Sequence, residues 1–375
     1  MKMKTRKVLI TGAEGFIGKN LALWLGEIPN FEVLKFVRSD AEHKLESLLN
    51  KADCVFHLAG ENRPAKPSAF DDVNVGLTKR IVDLLKQSNS QIPVVFSSSV
   101  QAQLDNEYGR SKLKAENILR ELSEKNKNPV SLYRLPGVFG KWGKPEYNSV
   151  VSTFCYNIAN NLEVKIDNPD HLINLVYIDD VVKSFVEKIG NEFKGVESPV
   201  VEPSYQITLG KLAEQIYNFD RSRENMFVDE VGGGLMRALY ATYLSYLPKE
   251  RFSYNLISHR DQRGAFIEVL KTQTSGQVSV FTAGPGVTRG SHYHHTKNEK
   301  FLVLTGKALF SFRNMATDEL FEMNTSDAHH TIVDSIPGWA HSIKNVGSSE
   351  LIVMLWSNEV FDPQNPDTIQ AEVSL

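Results

Sequence analysis

The chain has 375 residues, about twice the length of a typical domain, so we expect two folded units. Its 41% hydrophobic and 23% charged residues are typical of a globular protein and exclude disorder as the main state. Forty-two Lys and Arg against 45 Asp and Glu give a net charge of −3, so no basic field exists to hold nucleic acid or an anionic membrane. Neither is therefore expected as a partner.

The N-terminal part alternates short apolar runs with amphipathic stretches, as in KVLIT, GFIGKNLALWLGEI, FEVLKFVR and HKLESLLNKA. This rhythm predicts an α/β Rossmann-type fold, a doubly wound parallel sheet covered by helices. Beyond about residue 250, segments such as GQVSVFTAG and ELIVMLW predict antiparallel strands of a barrel or sandwich. Because Pro248 ends an apolar helical pattern between these parts, we predict domains over residues 1–247 and 252–375.

The cysteines and the N-terminus indicate the compartment. Cys54 and Cys155 both lie in apolar stretches, where buried thiols are expected rather than a disulfide. The segment MKMKTRKVLITG has too few apolar residues for a secretory signal, and no run of about 18 apolar residues occurs. We therefore expect a cytoplasmic protein.

A glycine-rich turn follows the first predicted strand. Gly12, Gly15 and Gly18 stand in TGAEGFIG, with Phe16 and Ile17 opening an amphipathic helix. Such glycines let the backbone approach a pyrophosphate at a helix N-terminus, although an ordinary strand-to-helix turn has the same local pattern. We interpret these residues as a dinucleotide-binding turn.

The end of the second predicted strand bears on the choice of cofactor. The sequence KFVRSD places Arg38 where an acidic residue would hydrogen-bond the ribose of NAD. An Arg at this position pairs with a 2′-phosphate and favours NADP(H), whereas Asp40 nearby leaves NAD(H) open.

A tyrosine and a lysine share one face of a later helix. Tyr108 and Lys112 are four residues apart in YGRSK, after the serine-rich strand PVVFSSS. An ammonium beside a phenol is expected to lower the phenol pKa and to assist proton transfer. The pair alone is common, and the glycine turn and serine strand strengthen its functional interpretation.

Together the motifs TGAEGFIG, HLAG, FSSS, YGRSK and VYIDDV resemble those of extended short-chain dehydrogenases/reductases that act on nucleotide sugars. The resemblance implies that Tyr108 is the catalytic acid and that Lys112 lowers its pKa and holds the nicotinamide ribose. It also implies that Ser99 hydrogen-bonds the substrate carbonyl. Asn74 matches the asparagine that supports the active-site helix, and we group it with the substrate-binding residues.

Two features depart from that family pattern. Gly137 in RLPGVFG stands where the family usually has an Asn. The segment between Arg38 and CVFHLAG is too short for a helix, a strand and a second helix. We therefore expect the third strand of the usual fold, which contributes to the adenine pocket, to be missing.

The C-terminal part holds a cluster of metal-ligand residue types. His292 and His294 alternate along a predicted strand and thus share a face, and a hairpin brings Glu299 near them. His341 precedes another predicted strand. Three imidazoles and a carboxylate suit zinc, manganese or iron.

The spacings G-x5-H-x-H-x4-E-x6-G and G-x-x-H-x3-N resemble the two cupin motifs, which implies an all-β cupin barrel. The strings DQRGAFIE and RGSH also resemble cupin-fold nucleotide-sugar 3,5-epimerases, which implies that Arg263 and Arg289 hold substrate. In those epimerases the His after RG is the base, but a metal-bound imidazole has no lone pair for that role. The catalytic base is not assigned by this reasoning, and four residues are candidates: Tyr293, His295, Lys297 and Lys300. Of these, we predict Lys300 as a catalytic residue.

The order of domains resembles the CapF/WbjC family of bifunctional capsular-polysaccharide enzymes over essentially the whole chain. This implies C-3 epimerisation of a UDP-2-acetamido-2,6-dideoxy-hexos-4-ulose and NADPH reduction at C-4 to UDP-2-acetamido-2,6-dideoxy-L-talose. That product is a precursor of UDP-N-acetyl-L-fucosamine, and the family is homodimeric. For the metal of the second site we expect Zn²⁺, with manganese and iron left open. One alternative is a reductase or epimerase acting alone, with the cupin as a binding or dimerisation module. A dehydratase is disfavoured because SSSVQAQL lacks an acidic pair.

Overall fold

A computed structural model describes residues 5–62, 70–147, 149–190, 193–295, 297–328, 330–336, 338–364 and 366–373. Two compact units divide the chain: Met1–Ile216 with Ala238–Pro248, and Tyr217–Arg237 with Lys249–Leu375. The sequence-based ranges instead place Tyr217–Arg237 in the first domain, and those ranges stay a prediction. Among the described residues, no helix has the length and apolarity that crossing a membrane requires.

The first unit alternates strands and helices along the chain. Its elements are β1 (Arg6–Thr11), α1 (Phe16–Glu27), β2 (Phe31–Phe36), α2 (Glu42–Leu49), β3 (Cys54–His57), a π-helix (Asp71–Gly76), α3 (Leu77–Gln87), β4 (Val94–Ser99), a 3₁₀ turn (Val100–Gln103), α4 (Glu107–Asn126), β5 (Val130–Leu135), β6 (Gly137–Phe139), α5 (Val150–Ala159), β7 (Leu172–Tyr177), α6 (Ile178–Gly190), β8 (Val196–Glu197) and β9 (Ser204–Thr208). Two helices, α7 (Leu209–Asn225) and α8 (Gly234–Leu244), contribute residues to both units.

The main sheet of this unit is parallel, in the order β2-β1-β3-β4-β5-β8 among the described residues. Strands β3 and β4 are buried along almost their whole length, as expected of parallel strands covered on both faces. Leu9, Val55, Phe96 and Leu132 from the sheet pack with Leu119 of α4 in one core. The predicted Rossmann-type parallel sheet is confirmed, and its carboxyl edge is where a nucleotide site is expected.

The segment between β2 and β3 accounts for one edge of that sheet. Residues 39–53 are all described, and they hold α2 but no strand. Strand β2 therefore forms the edge of the sheet. The expected loss of the usual third strand is confirmed.

The two cysteines have the expected environment. Cys54 and Cys155 are buried and form no disulfide. Burial raises the pKa of the Cys54 thiol to about 12, so it is a core side chain and not a nucleophile.

The second unit is rich in antiparallel strands. After a 3₁₀ turn (Lys249–Arg251) come β10 (Ser258–Asp261), β11 (Gly264–Thr272), β12 (Gly276–Ala283), β13 (Thr288–Tyr293), β14 (Glu299–Thr305), β15 (Lys307–Asn314), β16 (Leu320–Ser326), β17 (Ile332–Asp334), β18 (Trp339–Asn345), β19 (Leu351–Ser357) and β20 (Ile369–Gln370).

These strands form two sheets, β10-β11-β12-β19-β14-β17 and β16-β15-β18-β13-β20. Their apolar faces share one core, in which Phe301 and Val353 of one sheet belong with Phe310 and Ile343 of the other. In the described part of the chain the two sheets do not close into one barrel. The antiparallel prediction is confirmed, whereas the closed cupin barrel is not.

Candidate active site and candidate metal centre

The carboxyl edge of the parallel sheet borders a cavity of about 780 Å³. It is lined by the turn after β1, the end of β4, the start of α4 and the segment after β5. Eight residues predicted from the sequence to bind cofactor or catalyse lie in its wall: Gly12, Gly15, Phe16, Ile17, Gly18, Ser99, Tyr108 and Lys112. The fold thus brings together residues that are up to a hundred positions apart in the chain.

Glycine is required in the turn after β1 for two different reasons. Gly12 has a φ of +70°, and a Cβ there would lie 2.7 Å from the backbone of Ala59. A Cβ on Gly18 would lie 2.2 Å from the Gly12 carbonyl oxygen, so this glycine lets α1 pack close to the strand. Helix α1 begins after Gly15 without a side-chain cap, and its first residues, Phe16, Ile17 and Gly18, line the cavity. This arrangement fits a phosphate group.

Tyr108 and Lys112 lie on one face of α4, which the Asn106 side chain caps by accepting a hydrogen bond from the Gly109 N–H at 2.8 Å. The ammonium of Lys112 donates to the carbonyl oxygen of Ser97 at 2.9 Å and lies 5.9 Å from the Tyr108 ring centre. Burial lowers the pKa of Lys112 to about 8.

The pKa of Tyr108 corrects one sequence-based expectation. Burial raises it to about 12, and the hydrogen bond with Ser99 only partly offsets this effect. The expected lowering by Lys112 is not found: burial dominates, and the contact that acts against it is the hydrogen bond with Ser99. At neutral pH the phenol is therefore protonated and is available as a proton donor.

Asn74 forms hydrogen bonds with residues next to the cavity. Its side chain is buried in the π-helix, accepts from the Glu61 N–H at 2.8 Å and donates to Ser111 Oγ at 3.0 Å. Asn74 is not among the described residues that line the cavity. Its grouping with the substrate-binding residues stays a prediction, and its hydrogen bonds link the loop after β3 to α4.

Arg38, the predicted cofactor-selecting residue, pairs with Glu61, which the sequence analysis did not assign. Arg38 is 82% exposed at its side chain and donates from a terminal guanidinium nitrogen to Glu61 Oε2 at 3.1 Å. The Asp40 carboxylate accepts from the Val37 N–H at 2.9 Å and from Lys44 Nζ at 2.6 Å. Asp40 thus closes its own turn, and Arg38 is not among the described residues that line the cavity, so its part in cofactor selection stays a prediction.

An aromatic and basic segment after β6 completes the cavity wall. Trp142, Lys144 and Tyr147 line it, and the Tyr147 hydroxyl donates to Glu61 Oε1. The sequence analysis did not assign these residues, although the string FGKWGKPEY, with aromatic and basic residues among glycines, was the available signal.

The second unit holds the predicted cluster of three imidazoles and a carboxylate. One ligand atom each of His292, His294, Glu299 and His341 lies within 4.8 Å of the others. Glu299 Oε2 lies 3.1 Å from His294 Nε2 and 3.4 Å from His341 Nε2. The register β13–β18 places His292 opposite His341, which explains how distant positions meet.

The surroundings of this cluster fit a metal ion. His294, Glu299 and His341 are buried, and burial lowers the pKa of His292 to about 4, so this imidazole is neutral and can act as a ligand. Nδ1 of His294 lies 2.5 Å from the carbonyl oxygen of Asp367, a contact that directs Nε2 toward the cluster. Such a set of nitrogen and oxygen donors suits zinc, manganese or iron.

The predicted catalytic Lys300 lies on the face of β14 opposite to Glu299. Alternation along β14 buries Glu299 and exposes Lys300 on the opposite face, where its ammonium pairs with Asp334 at 2.5 Å. Lys297 is buried instead, and its ammonium lies 3.8 Å from Glu299 Oε1. The catalytic role of Lys300 stays a prediction, and of these two lysines Lys297 is the one at the cluster.

The two predicted substrate arginines meet at one carboxylate. Arg263 Nε donates to Asp261 Oδ2 at 3.0 Å, and the Arg289 guanidinium lies 4.0 Å from Asp261 Oδ1. Arg289 is largely buried and also donates to the carbonyl oxygen of Thr282 at 3.0 Å. Burial lowers the pKa of Arg289, whereas the side chain of Arg263 is exposed.

Family models match both parts of the chain. Residues 8–197 match the NAD dependent epimerase/dehydratase family, and residues 259–369 match the polysaccharide biosynthesis C-terminal domain. The two matched ranges fall in the two regions that hold the cavity and the metal-ligand cluster.

Relatives extend the similarity to the whole chain. The UDP-2-acetamido-2,6-beta-L-arabino-hexul-4-ose reductase of Pseudomonas aeruginosa is 50% identical over 98% of this chain and 99% of its own. The crystal structure of the capsular polysaccharide assembling protein CapF from Staphylococcus aureus is 42% identical, covers 98% of this chain and 100% of its own, and has a TM-score of 0.90.

A more distant structure shares only the fold. UDP-glucuronic acid 4-epimerase from Bacillus cereus, solved with NAD, is 17% identical, covers 57% of this chain and 84% of its own, and has a TM-score of 0.52. Because a family model matches the glycine turn, the serine strand and the Tyr108–Lys112 helix, and a relative is 50% identical from end to end, this chain belongs to the NAD dependent epimerase/dehydratase family.

Proposed function

We propose that the first unit is an NADPH-dependent reductase of a UDP-linked 4-keto sugar. The observation that carries this proposal is the placement of Ser99, Tyr108 and Lys112 in one cavity with the uncapped start of α1. The printed name of the Pseudomonas aeruginosa relative, a reductase of a UDP-linked hexulose, supports it.

Each side chain of this cavity has a separate role in the proposed reduction. The nicotinamide would supply the hydride to the ketone carbon. Tyr108, which is protonated at neutral pH, donates its proton to the oxygen that becomes a hydroxyl. Ser99 hydrogen-bonds the same oxygen, and the Lys112 ammonium holds the ribose of the cofactor and stabilises the phenolate that remains.

Arg38 is proposed to select NADPH through its 2′-phosphate. Replacing Arg38 by Ala removes a charge-assisted hydrogen bond, so we expect kcat/KM for NADPH to fall about 10- to 100-fold. The value for NADH should change little, because that cofactor lacks the phosphate. Steady-state kinetics with both cofactors measures this ratio, and an equal loss with NADPH and NADH would contradict the assignment.

We propose that the second unit is a cupin-type epimerase domain in which His292, His294, Glu299 and His341 hold a divalent metal, with Zn²⁺ as the first candidate. The metal would polarise the ketone and thereby acidify the adjacent C-3 carbon. The four converging ligand groups, three of them buried, support this assignment. Arg263 and Arg289 would hold the anionic diphosphate of the substrate.

Lys297 is proposed to donate a hydrogen bond to the substrate oxygen at the metal cluster. We expect Lys297→Met to slow C-3 proton exchange about 100- to 1,000-fold while the metal stays bound. Lys300→Met is the matched comparison, because Lys300 faces away from the cluster. Exchange measured by NMR together with metal content tests this, and a larger loss in Lys300→Met than in Lys297→Met would reverse the assignment.

The experiment that tests the two activities together is ¹H NMR of a UDP-4-keto-6-deoxy-N-acetylhexosamine with the zinc-loaded protein in D₂O, without NADPH. We expect the C-3 proton signal to disappear, and reduction at C-4 to follow once NADPH is added. A persistent C-3 signal with intact reduction would favour the alternative, a reductase whose second unit is a binding or dimerisation module. The homodimer implied by the resemblance stays a prediction, which light scattering can test.

A further inference from the structure

A buried carboxylate lies behind the catalytic pair of the first unit. Glu116 is fully buried in α4, four residues after Lys112 and eight after Tyr108. Residues at this spacing share one helix face, so the three side chains form a row. Burying a carboxylate is costly unless it is paired, so the partners of Glu116 indicate what it is for.

The partners of Glu116 come from the two strands that border the cavity. Its Oε1 accepts from Ser98 Oγ at 2.6 Å and from Arg134 Nε at 2.9 Å, and its Oε2 accepts from an Arg134 terminal nitrogen at 2.7 Å. Arg120 lies 3.8 Å away, one turn further along the helix. Ser98 directly precedes Ser99 on β4, and Arg134 is followed on β5 by the cavity-lining Leu135.

The same carboxylate affects the charge on Lys112. Burial lowers the Lys112 pKa, and the negative charge of Glu116 acts in the opposite direction. Two other titratable side chains beside the ammonium, those of His57 and Tyr108, supply no negative charge at neutral pH. His57 on β3 is neutral because burial lowers its pKa to about 3, and burial raises the Tyr108 pKa to about 12.

We propose that Glu116, held by Arg134 and Ser98, is a positioning residue that keeps the Lys112 ammonium charged and fixes the strand that carries Ser99. This inference rests on the proposed reductase function of the same cavity. It assigns a role to an ion pair between the buried Glu116 and the partly exposed Arg134, neither of which is among the described residues that line the cavity.

The sign of the expected effect follows from the charges. Removing the carboxylate lowers the Lys112 pKa, so the ammonium loses its proton at a lower pH. A charged Lys112 is needed to hold the cofactor ribose and to stabilise the Tyr108 phenolate. The alkaline limb of the pH profile of NADPH binding and of reduction should therefore move down by about one pH unit in Glu116→Gln.

The test compares the full-length Glu116→Gln variant with the unaltered chain in NADPH binding by fluorescence and in kcat/KM, both across pH 6 to 10 (about the range where Lys112 titrates). Glu116→Asp should restore most of the shift. Glu121→Gln is the matched control, because Glu121 lies on the same helix but is 49% exposed and pairs with Lys125. It should leave both profiles unchanged.

A merely structural role would give a different result. If Glu116→Gln weakens binding and turnover by the same factor at every pH, the proposal is overturned. Glu116→Gln leaves Arg134 without its carboxylate partner and could therefore prevent folding. A double variant, Glu116→Gln with Arg134→Gln, replaces the ion pair by a neutral pair and serves as the second test. In the double variant the lost positive charge of Arg134 offsets part of the lost negative charge, so the limb should move in the same direction but by less than in Glu116→Gln. Absence of turnover in the unaltered chain would overturn the reductase function, whereas the NADPH binding profile would still decide the role of Glu116.

Discussion

Replacing Tyr108 by Phe should reduce NADPH-dependent reduction about 100- to 10,000-fold, because the phenol is the proton donor at the ketone oxygen. Phe preserves the ring and its packing, so cofactor binding should persist. Proton exchange at C-3 should continue at the unaltered rate, since the metal-ligand cluster belongs to the second unit. The measurement is NADPH oxidation followed at its absorbance maximum, alongside NMR exchange without NADPH.

The pH dependence of this reduction has a defined sign. The phenol must be protonated to act as an acid, and burial raises its pKa to about 12. The Lys112 ammonium has a pKa near 8, so reduction should fall as the pH rises through the titration of this lysine. Tyr133→Phe is the matched control, because that buried tyrosine contacts Ser184 and does not line the cavity. Loss of both reduction and exchange in Tyr108→Phe would argue against two separate sites.

Replacing His294 by Ala should release the metal and stop C-3 proton exchange. This histidine is buried, its Nε2 lies 3.1 Å from Glu299, and the Asp367 carbonyl oxygen orients its ring. Removing one of three imidazoles opens the cluster to water and lowers its affinity for metal steeply. Reduction of a ketone that already has the product configuration at C-3 should continue, because Tyr108 and Lys112 are untouched.

Metal analysis of the purified variant, with exchange and reduction assays, checks this expectation. A chelator applied to the unaltered chain should reproduce the loss of exchange and again spare reduction. His330→Ala is the matched control, because His330 is exposed. Unchanged metal content in His294→Ala would show that the cluster is not the metal site. Retained exchange after chelation would show that the second unit needs no metal for enolisation.

Part of the site could be predicted because its residues are close in the chain. The turn from Gly12 to Gly18, the four-residue spacing of Tyr108 and Lys112, and the alternation of His292 and His294 are local patterns. Each follows from the geometry of one turn, one helix or one strand. The missing third strand was also readable, because chain length limits what fits between β2 and β3.

The placement of other residues depends on contacts that local spacing does not determine. Lys300 differs from Glu299 by one position, yet that one step reverses the face of a strand and exposes the side chain. Asn74 has a side chain suited to substrate, but its hydrogen bonds to Glu61 and Ser111 bury it. The Tyr108 pKa depends on how much water reaches the phenol, which the spacing to Lys112 does not reveal.

The sequence by itself determined the residue types, their spacing and the change from alternating helices and strands to antiparallel strands, because these depend on neighbours along the chain. Only the tertiary structure decided which distant side chains share an environment. It linked Arg38 and Tyr147 through Glu61, and it buried Glu116 against Arg134. Burial and the distances between charges arise from packing across elements, and they set the protonation of Tyr108 and Lys112 on which the proposed chemistry depends.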